Sequence, residues 1–381
     1  MLQTGKLLRV TALILLVGML LAACGGKDLA NTAPSGPAAA ESSAPPSESP
    51  QPGQTRPATF EEMALYAGGD RERLLAEKAK EEGELNFYTS MTVEDAEALT
   101  KAFTEKYGIK VNLWRISAEA LLQRITAEAQ AGRHEFDIAD VSGPELEALY
   151  REGLLQKVES PRYAELIPAA VPEHKSWVAT RSNIFVQSYN TDKVKPEELP
   201  ASWGDLTEAK WKGRLGIEAS DLDWFATLVK KMGEEKGLQL FRDIVAANGV
   251  SVRDGHTLLT QLTVSGEVPL SLTVYNFTAE TFKQEGAPID WFAIPPAIAK
   301  PNGSAVSKHA PHPHAALLFY DFVIGEGQQV LADLNFAVTH RSINTPYREL
   351  EVEFVDPVTI LDEYEKWADL YNEIIVQQGA K

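Results

Sequence analysis

The distribution of apolar residues divides the chain into three segments. Residues 10–23 form an apolar run behind Lys6 and Arg9, and residues 25–57 contain almost no large apolar side chain. From Thr59 onward, apolar and polar positions repeat with the periods of helices and strands. A segment without apolar residues cannot bury enough surface to offset the entropy of ordering it, so we expect the folded part to begin near Thr59.

Within the folded part, short apolar runs that are typical of strands alternate with helical stretches. Such alternation indicates right-handed βαβ units and mostly parallel sheets. There are more units than one sheet needs, so the pattern favours an α/β fold of two lobes with a cleft between them. Helices are predicted over 70–82, 93–107 and 119–131, and another begins at about 223. The last hundred or so residues are predicted to be mainly helical, with helices that start near 314, 327 and 358. Strands are predicted over 84–90, 109–113, 136–141, 177–189, 214–217, 268–274 and 289–294.

The single cysteine, Cys24, follows small residues at the end of the first apolar segment. Basic residues, an apolar run and small residues in this order are typical of a secretory signal, and the run is shorter than the ~20 residues of a spanning helix. The position of Cys24 resembles the lipobox of bacterial lipoproteins, which implies lipid attachment there. We therefore predict a signal peptide over 1–23 and a lipid-anchored disordered linker over 24–58. The alternative is an ordinary cleaved signal with an incidental cysteine.

Composition narrows the possible functions. With 44% hydrophobic residues the chain can bury a sizeable core, and its single cysteine excludes an intramolecular disulfide and a cysteine-based metal site. The formal net charge of −18 argues against nucleic acid and against an anionic membrane surface as partners. A Gly-x-Ser-x-Gly elbow, a His-Glu-x-x-His motif and a phosphate loop are absent from the sequence. This disfavours a secreted hydrolase, and we predict no enzymatic activity.

Short motifs in a shared order resemble the bacterial extracellular solute-binding proteins, and among them the ferric-iron-type branch. The run from Glu82 to Ser90 is similar to the opening strand of that family, and the resemblance extends to Pro346. The other matching motifs are Leu121–Arg124, Ala131–Arg133, Phe136–Ile138, Tyr189–Thr191, Pro200–Leu206, Trp211–Arg214, Ser265–Glu267 and Ala310–Ala316.

The resemblance implies a type II periplasmic-binding-protein-like fold, in which each lobe is a mostly parallel sheet flanked by helices and hinge crossovers join the lobes. It places lobe 1 at about 84–186 plus 295–335 and lobe 2 at about 187–294, with C-terminal helices over 336–381 packing on lobe 2. Such a receptor hands a small solute to the permease and ATPase of an ABC importer. We expect a monomer without a cofactor, held by Cys24 at the outer face of the cytoplasmic membrane, or in the periplasm of a Gram-negative organism.

In open α/β sheets, ligands bind beyond the carboxyl ends of the strands, where loops and helix N-termini converge. Four loops of the sequence meet this description, and each supplies candidate ligand-binding residues. Hydroxyl residues beside helix starts are also common N-caps, which is the structural alternative for several of them. The candidates are Ser90 and Thr92, Ser142 and Gly143, Asp221, Asp223 and Trp224, and Tyr275 and Asn276.

The identity of the solute follows less directly. Relatives that bind bare ferric ion use a histidine, a glutamate and two adjacent tyrosines as ligands. The resemblance aligns Thr92 with the histidine, Ser142 with the glutamate and Tyr275-Asn276 with the two tyrosines. Because Fe³⁺ needs several hard anionic donors, we expect a small organic ion rather than bare iron, with a ferric iron-binding protein as the alternative.

The sign of the solute's charge stays open at this point. Asp221 and Asp223 could accept hydrogen bonds from an amine while Trp224 or Tyr275 stacks on it, and Arg115 and Arg181 could instead hold a carboxylate or phosphate. His312 and His314 flank a proline and are interpreted as a helix-start motif. A purely sensory receptor is a further alternative to an importer component.

Overall fold

The computed structural model describes residues 57–379. The predicted signal peptide, Cys24 and nearly all of the predicted linker lie outside the described residues. The helices are α1 Phe60–Ala64, α2 Arg71–Glu82, α3 Val93–Tyr107, α4 Ala118–Gln130, α5 Gly143–Arg151, α6 Leu222–Met232, α7 Glu234–Asn248, α8 His256–Ser265, α9 Asn276–Gln284, α10 Pro313–Ile324, α11 Gly327–Asp333, α12 Pro357–Asp362, α13 Tyr364–Tyr371 and α14 Gln377–Gly379, with a π-helical turn at Asn372–Val376.

The strands are β1 Glu84–Thr89, β2 Lys110–Arg115, β3 Ile138–Ser142, β4 Val178–Asn190, β5 Leu215–Glu218, β6 Ser251–Arg253, β7 Leu270–Tyr275, β8 Ile289–Phe292, β9 Ala297–Val306, β10 Ala337–Val338 and β11 Val352–Phe354. Short 3-10 helices cover Pro161–Glu165, Pro168–Ala170, Pro196–Glu198, Trp203–Thr207, Ala209–Trp211 and Pro346–Glu349.

The predicted βαβ units are confirmed in the first part of the folded chain. Strand β1 pairs in parallel with β2 and with β3, and helices α3 and α4 connect them. Helix α3 has the predicted bounds because local signals define both ends. The Thr92 side chain accepts a hydrogen bond from the Asp95 amide at 3.2 Å, and Gly108 closes the helix with a φ of 73°.

One continuous path of strands runs through both lobes, in the order β2-β1-β3-β9-β4-β7-β5-β6. The long strands β4 and β9 are antiparallel to each other over Val178–Phe185 and Ile298–Ser304. On one side β9 pairs with β3, and on the other side β4 pairs with β7 and β8. The two lobes are therefore joined by these central strands.

Strand β9 is the main element that the sequence pattern missed, because we predicted the last hundred or so residues to be mainly helical. Its central residues Lys300-Pro301-Asn302-Gly303 are typical of turns and do not alternate. They are extended because β3 and β4 lie on either side and supply the hydrogen-bonding partners. Tertiary pairing overrides local propensity here.

The described residues bury three apolar clusters. The first contains residues from α2 to β4 together with α10, α11 and β10, and includes Phe87, Phe103 and Phe319. The second surrounds Trp224 and Trp367, and the smaller third lies under β7 and β9. The predicted lobe boundaries stay a prediction. Among residues 57–379, no helix combines the length and apolar character that a bilayer span requires.

The contact between β4 and β9 generates a stability prediction at Gly303. A Cβ atom at this position would overlap the carbonyl oxygen of Val178 and lie 3.0 Å from the Ala179 Cα, so the paired backbones must separate. We expect Gly303→Ala to lower the free energy of unfolding by about 1–3 kcal/mol or more, measured by urea denaturation.

The control is Gly204→Ala, since a Cβ there would meet only the Ser202 Oγ at 3.6 Å. Equal stability of the Gly303→Ala and Gly204→Ala variants would contradict the close approach of β4 and β9.

Candidate functional site

A polar cleft of about 360 Å³ lies where the carboxyl ends of strands from both lobes meet. Hydroxyl, amide, carboxylate and cationic side chains outnumber the apolar ones along its walls. The lining residues are Ser90, Met91, Thr92, Asp95, Arg115, Ser117, Ala118, Glu119, Ser142, Arg181, Asn183, Glu218, Ser220, Asp254, Gly255, His256, Thr257, Tyr275, Phe277, Thr278, Lys300, Asn302 and Phe336.

Helix N-termini from both lobes point to this cleft. Five lining residues are N-caps: Thr92, Ser117 and Ser142 begin α3, α4 and α5, and Gly255 and Tyr275 begin α8 and α9. Apart from Thr92, none of them accepts a side-chain capping hydrogen bond. The backbone N–H groups in the first turns of these four helices therefore have no side-chain cap, and they can donate hydrogen bonds to a ligand in the cleft.

Arg181 lies at the back of the cleft and is held by a buried carboxylate. Its two terminal nitrogens contact Asp140 at 2.8 and 3.2 Å, and Ser304 donates a hydrogen bond to the same carboxylate at 2.6 Å. Arg181 is only 3% exposed, so its pair with Asp140 is buried. Its Nε has no partner among the described residues, and neither does the Oδ1 of the neighbouring lining residue Asn183.

Lys300, from β9, supplies a second cation at the cleft. Its Nζ lies 2.6 Å from Oδ2 of Asp223, at the start of α6. Burial disfavours the charge of this amine, but Asp223, Tyr275 and Glu145 outweigh that effect and raise the pKa of Lys300. The lysine therefore stays charged and joins β9 to the second lobe.

A third pair forms the wall of the second lobe. The His256 Nε2 lies 3.0 Å from Oδ1 of Asp221, and the imidazole stacks on the Tyr275 ring with centroids 3.8 Å apart. Ligand atoms of Glu218, Asp221 and His256 all lie within 4.8 Å of one another. The Glu218 carboxylate already accepts hydrogen bonds from Ser220 and from the Gly255 amide. Asp221 Oδ2 has no partner among the described residues.

The structure brings six of the nine predicted ligand-binding residues to or directly behind this cleft. Ser90, Thr92, Ser142 and Tyr275 line it. Asp221 and Asp223 do not line it but orient His256 and Lys300, which do. Two lining hydroxyls are also engaged within their own helices, because Thr92 contacts Asp95 and Ser142 donates to Glu145.

Three predicted residues are placed elsewhere. Trp224 is 1% exposed and packs on Trp203 and Phe241 in the core, because it faces inward from α6, so its ring is not available for stacking on a solute. The Asn276 amide binds backbone groups of Ile184 and Asn335 instead of facing the cleft. Gly143 is buried against Pro301 and Pro357.

Several lining residues escaped the sequence prediction, above all His256, Lys300 and Glu218. His256 follows Gly255 at the start of α8 after the short strand β6, a loop of the kind that identified the other candidates, but neither element was predicted. Lys300 carried no such signal, because β9 was not predicted. Arg115 and Arg181, named as possible anion-binding groups, both line the cleft.

His312 and His314 begin α10 as predicted, and they bind carboxylates that are distant in sequence. The His312 Nδ1 lies 2.8 Å from Asp137 Oδ2, and the His314 Nδ1 lies 2.7 Å from Glu82 Oε1. Both carboxylates also accept backbone amide hydrogen bonds at the start of the helix. These residues form a helix N-terminus in the first lobe.

The His256–Asp221 pair predicts a pH-dependent contribution to stability. Burial disfavours the charged imidazole, but the Asp221 carboxylate outweighs it and raises the pKa of His256 above 6.5. The stabilisation is therefore complete below pH 6.5 and is lost as pH rises through the raised pKa. We expect His256→Gln to lower the free energy of unfolding by more at about pH 5.5 than at about pH 8.5. The difference between the two losses should be on the order of 1 kcal/mol.

His174 is a matched control of opposite sign. Burial lowers its pKa although Glu147 lies 3.3 Å away, so the charged form destabilises the fold at low pH. His174→Gln should therefore cost less stability at the lower pH. Denaturant titrations of both variants check this, and the same pH trend in both would refute the assignment.

Comparison with known proteins supports a binding function for this architecture. The family model for "Bacterial extracellular solute-binding protein" matches residues 98–335. "Iron uptake protein A1" of Synechocystis sp. is 28% identical over 69% of this chain and 77% of its own. The "Major ferric iron-binding protein" of Neisseria meningitidis serogroup B is 25% identical over 73% of this chain and 88% of its own.

Solved structures show the same fold. The iron-bound HitA of Pseudomonas aeruginosa has a TM-score of 0.68 at 24% identity and covers 76% of this chain and 99% of its own. AfuA of Actinobacillus pleuropneumoniae, with fructose-6-phosphate bound, has a TM-score of 0.68 at 21% identity and covers 77% and 99%. The predicted two-lobed α/β fold is confirmed. Because the family match spans most of the folded region, the chain belongs to the bacterial extracellular solute-binding proteins.

Proposed function

We propose that this chain is the solute receptor of an ABC importer and that its two lobes close around a small organic anion. The observation that carries the proposal is the convergence of five N-cap residues, three from the first lobe and two from the second, on one polar cleft. The N-terminus of a helix presents free amides and about half a positive charge to a ligand.

The side chains of the cleft agree with an anion. Arg115, Arg181, His256 and Lys300 are cationic or can become so, and they line the same space. Of the four carboxylates that line the cleft, Asp95 and Glu218 are engaged by protein donors. Asp95 accepts a hydrogen bond from the Thr92 hydroxyl, burial raises its pKa, and Glu218 accepts the hydrogen bonds from Ser220 and Gly255 described above.

The lining of the cleft from both lobes supports capture by closure. Ser90, Thr92 and Ser142 belong to the first lobe and Tyr275 to the second, and we propose all four as solute contacts. Asp221 and Asp223 then act through His256 and Lys300 as positioning residues. A ligand that touches both lobes binds the closed state better than the open one, and this difference in affinity drives the closure.

Ferric iron is the second candidate solute. Two relatives carry iron in their names, and Glu218, Asp221 and His256 form a group that could hold a metal ion. Against iron, both oxygens of Glu218 already accept hydrogen bonds. Tyr275 is the one tyrosine among the described lining residues, and burial raises the pKa of its hydroxyl, which disfavours the phenolate that Fe³⁺ prefers.

The cellular context completes the proposal. A lipid on Cys24 and a linker over residues 24–58 would hold the folded region at the outer face of the membrane and leave it free to meet a permease and its ATPase. Delivery to an importer distinguishes this function from a sensory receptor, and the relatives bear names of uptake and binding proteins rather than of hydrolases.

The anion proposal predicts a charge-selective response. Acetate, citrate, phosphate and methylphosphonate are compared with putrescine at equal ionic strength, by thermal shift and calorimetry. We expect at least one anion and not the amine to stabilise the protein, since ligand that binds only the native state raises its stability. Arg115→Gln should raise the Kd for the anion by roughly ten- to a hundredfold, because hydrogen bonds to charged groups contribute about 1.5–3 kcal/mol.

Arg133→Gln is the control, because Arg133 is exposed and does not line the cleft. Two results would contradict the proposal. One is a preference for the amine. The other is stoichiometric ferric binding with a tyrosinate absorption band that disappears in Tyr275→Phe.

The lipid anchor predicts a change of location without a change of fold. We expect Cys24→Ser to release the protein into the medium or periplasm, while its thermal unfolding and its response to the anions stay as in the wild type. Fractionation followed by immunoblotting measures this, and a Ser variant that stays on the membrane as fully as the wild type would refute lipidation at Cys24.

A further inference from the structure

A second cavity of about 280 Å³ adjoins the polar cleft. The two spaces share three lining residues: Glu119 at the start of α4, Ser220 before α6, and Lys300 on β9. The second cavity, which we call the side pocket, therefore borders the cleft at Lys300.

The wall of the side pocket differs from that of the cleft, because much of it is apolar. The first lobe contributes Leu122 and Pro144, and α6 contributes Leu222. The C-terminal helices α12 and α13 contribute Ile360, Leu361 and Tyr364. The transfer of an apolar group from water to such a surface is favourable by roughly 25 cal/mol for each Å² of apolar surface that is buried.

The C-terminal wall is anchored to both lobes. On the first lobe, Pro357 packs so closely on Gly143 that a Cβ atom there would lie 2.8 Å from its Cγ. On the second lobe, Trp367 is fully buried in the cluster around Trp224, and Glu363 pairs with Lys230 at 3.2 Å. In this structure the C-terminal wall therefore packs on both lobes, and all of its lining residues lie beyond the family match at 98–335.

The charges around the side pocket disfavour a second anionic group. Lys300 is neutralised by Asp223 at 2.6 Å, and the carboxylates of Glu119 and Glu145 also border the space. Glu145 accepts a hydrogen bond from Ser142, and burial raises its pKa, so it does not call for a cation. The group that fits is uncharged and apolar.

We infer that the solute is an amphipathic anion whose charged group binds in the cleft while an uncharged alkyl or aryl group enters the side pocket. This inference rests on the proposed function and specifies its solute class. Leu122, Leu222, Leu361 and Tyr364 then select for the apolar part, and Lys300 lies at the junction of the two parts.

Two ligand series test the inference by calorimetry on the folded wild-type protein. One compares methylphosphonate with butylphosphonate and phenylphosphonate, and the other compares acetate with pentanoate and benzoate. Each methylene that becomes buried should tighten binding by roughly fourfold, so we expect the butyl or phenyl member to bind at least roughly tenfold more tightly than the methyl member.

Leu361→Asn should remove this preference, and a cooperative thermal unfolding transition shows that the variant is folded. Val358→Asn is the matched control, since Val358 lies on the same helix, is 44% exposed and does not line the pocket. We expect the control to keep the preference of the wild type.

Several outcomes would overturn the inference. If all members of a series bind with equal affinity, or if Leu361→Asn keeps the preference of the wild type, the side pocket does not bind the apolar group. The proposal of an anion-binding cleft is not affected by either result. Tighter binding of 2-aminoethylphosphonate than of propylphosphonate would assign the pocket to a cation through Glu119 and Glu145. If no member of either series binds, this inference fails, and the anion cleft fails with it when citrate and phosphate do not bind either.

Discussion

The antiparallel pairing of β4 with β9 is the interaction on which the rest of the structure depends. Every connection of the sheet between the lobes passes through these two strands, and both carry cleft residues: Arg181 on β4 and Lys300 on β9. The buried pair of Arg181 with Asp140, which also binds Ser304, ties β3, β4 and β9 together at one point. Removing one partner of such a pair typically costs about 3–5 kcal/mol, since a charge is left buried and unpaired.

The electrostatics of the cleft follow from how its cations are paired. Arg181, Lys300 and His256 each bind an aspartate that lies behind the cleft wall: Asp140, Asp223 and Asp221. These pairs nearly cancel, so helix N-termini and Arg115 are the remaining sources of positive field at the cleft. A field built from backbone amides needs no mobile side chains, and it is present before the ligand arrives.

The C-terminal segment explains why two spaces of different character lie side by side. The cleft is walled by strand ends and helix N-termini, which are polar by construction because their backbone groups are unsatisfied. The side pocket also borders helix starts, at α5 and α6, but Leu122 on α4 and Ile360 and Leu361 on α12 line it with apolar side chains from helix flanks. Helix α12 provides such a flank because Val352–Phe354 first pairs in parallel with β9 and directs the following chain across α5.

The sequence alone determined the α/β class, the two-lobed organisation and much of the secondary structure. It did so because helix caps, glycine stops and periodicity act between near neighbours, as at Thr92 and Gly108 around α3. It also placed Ser90, Thr92, Ser142 and Tyr275 at the cleft, since loops after strands converge in any sheet of this type.

Tertiary structure decided the rest. Strand β9 exists because neighbouring strands pair with it, Trp224 is buried because of the face that α6 turns inward, and the partners of the cleft cations come from other elements of the chain. Pairing between residues far apart in sequence depends on the packed fold, and no local pattern encodes it.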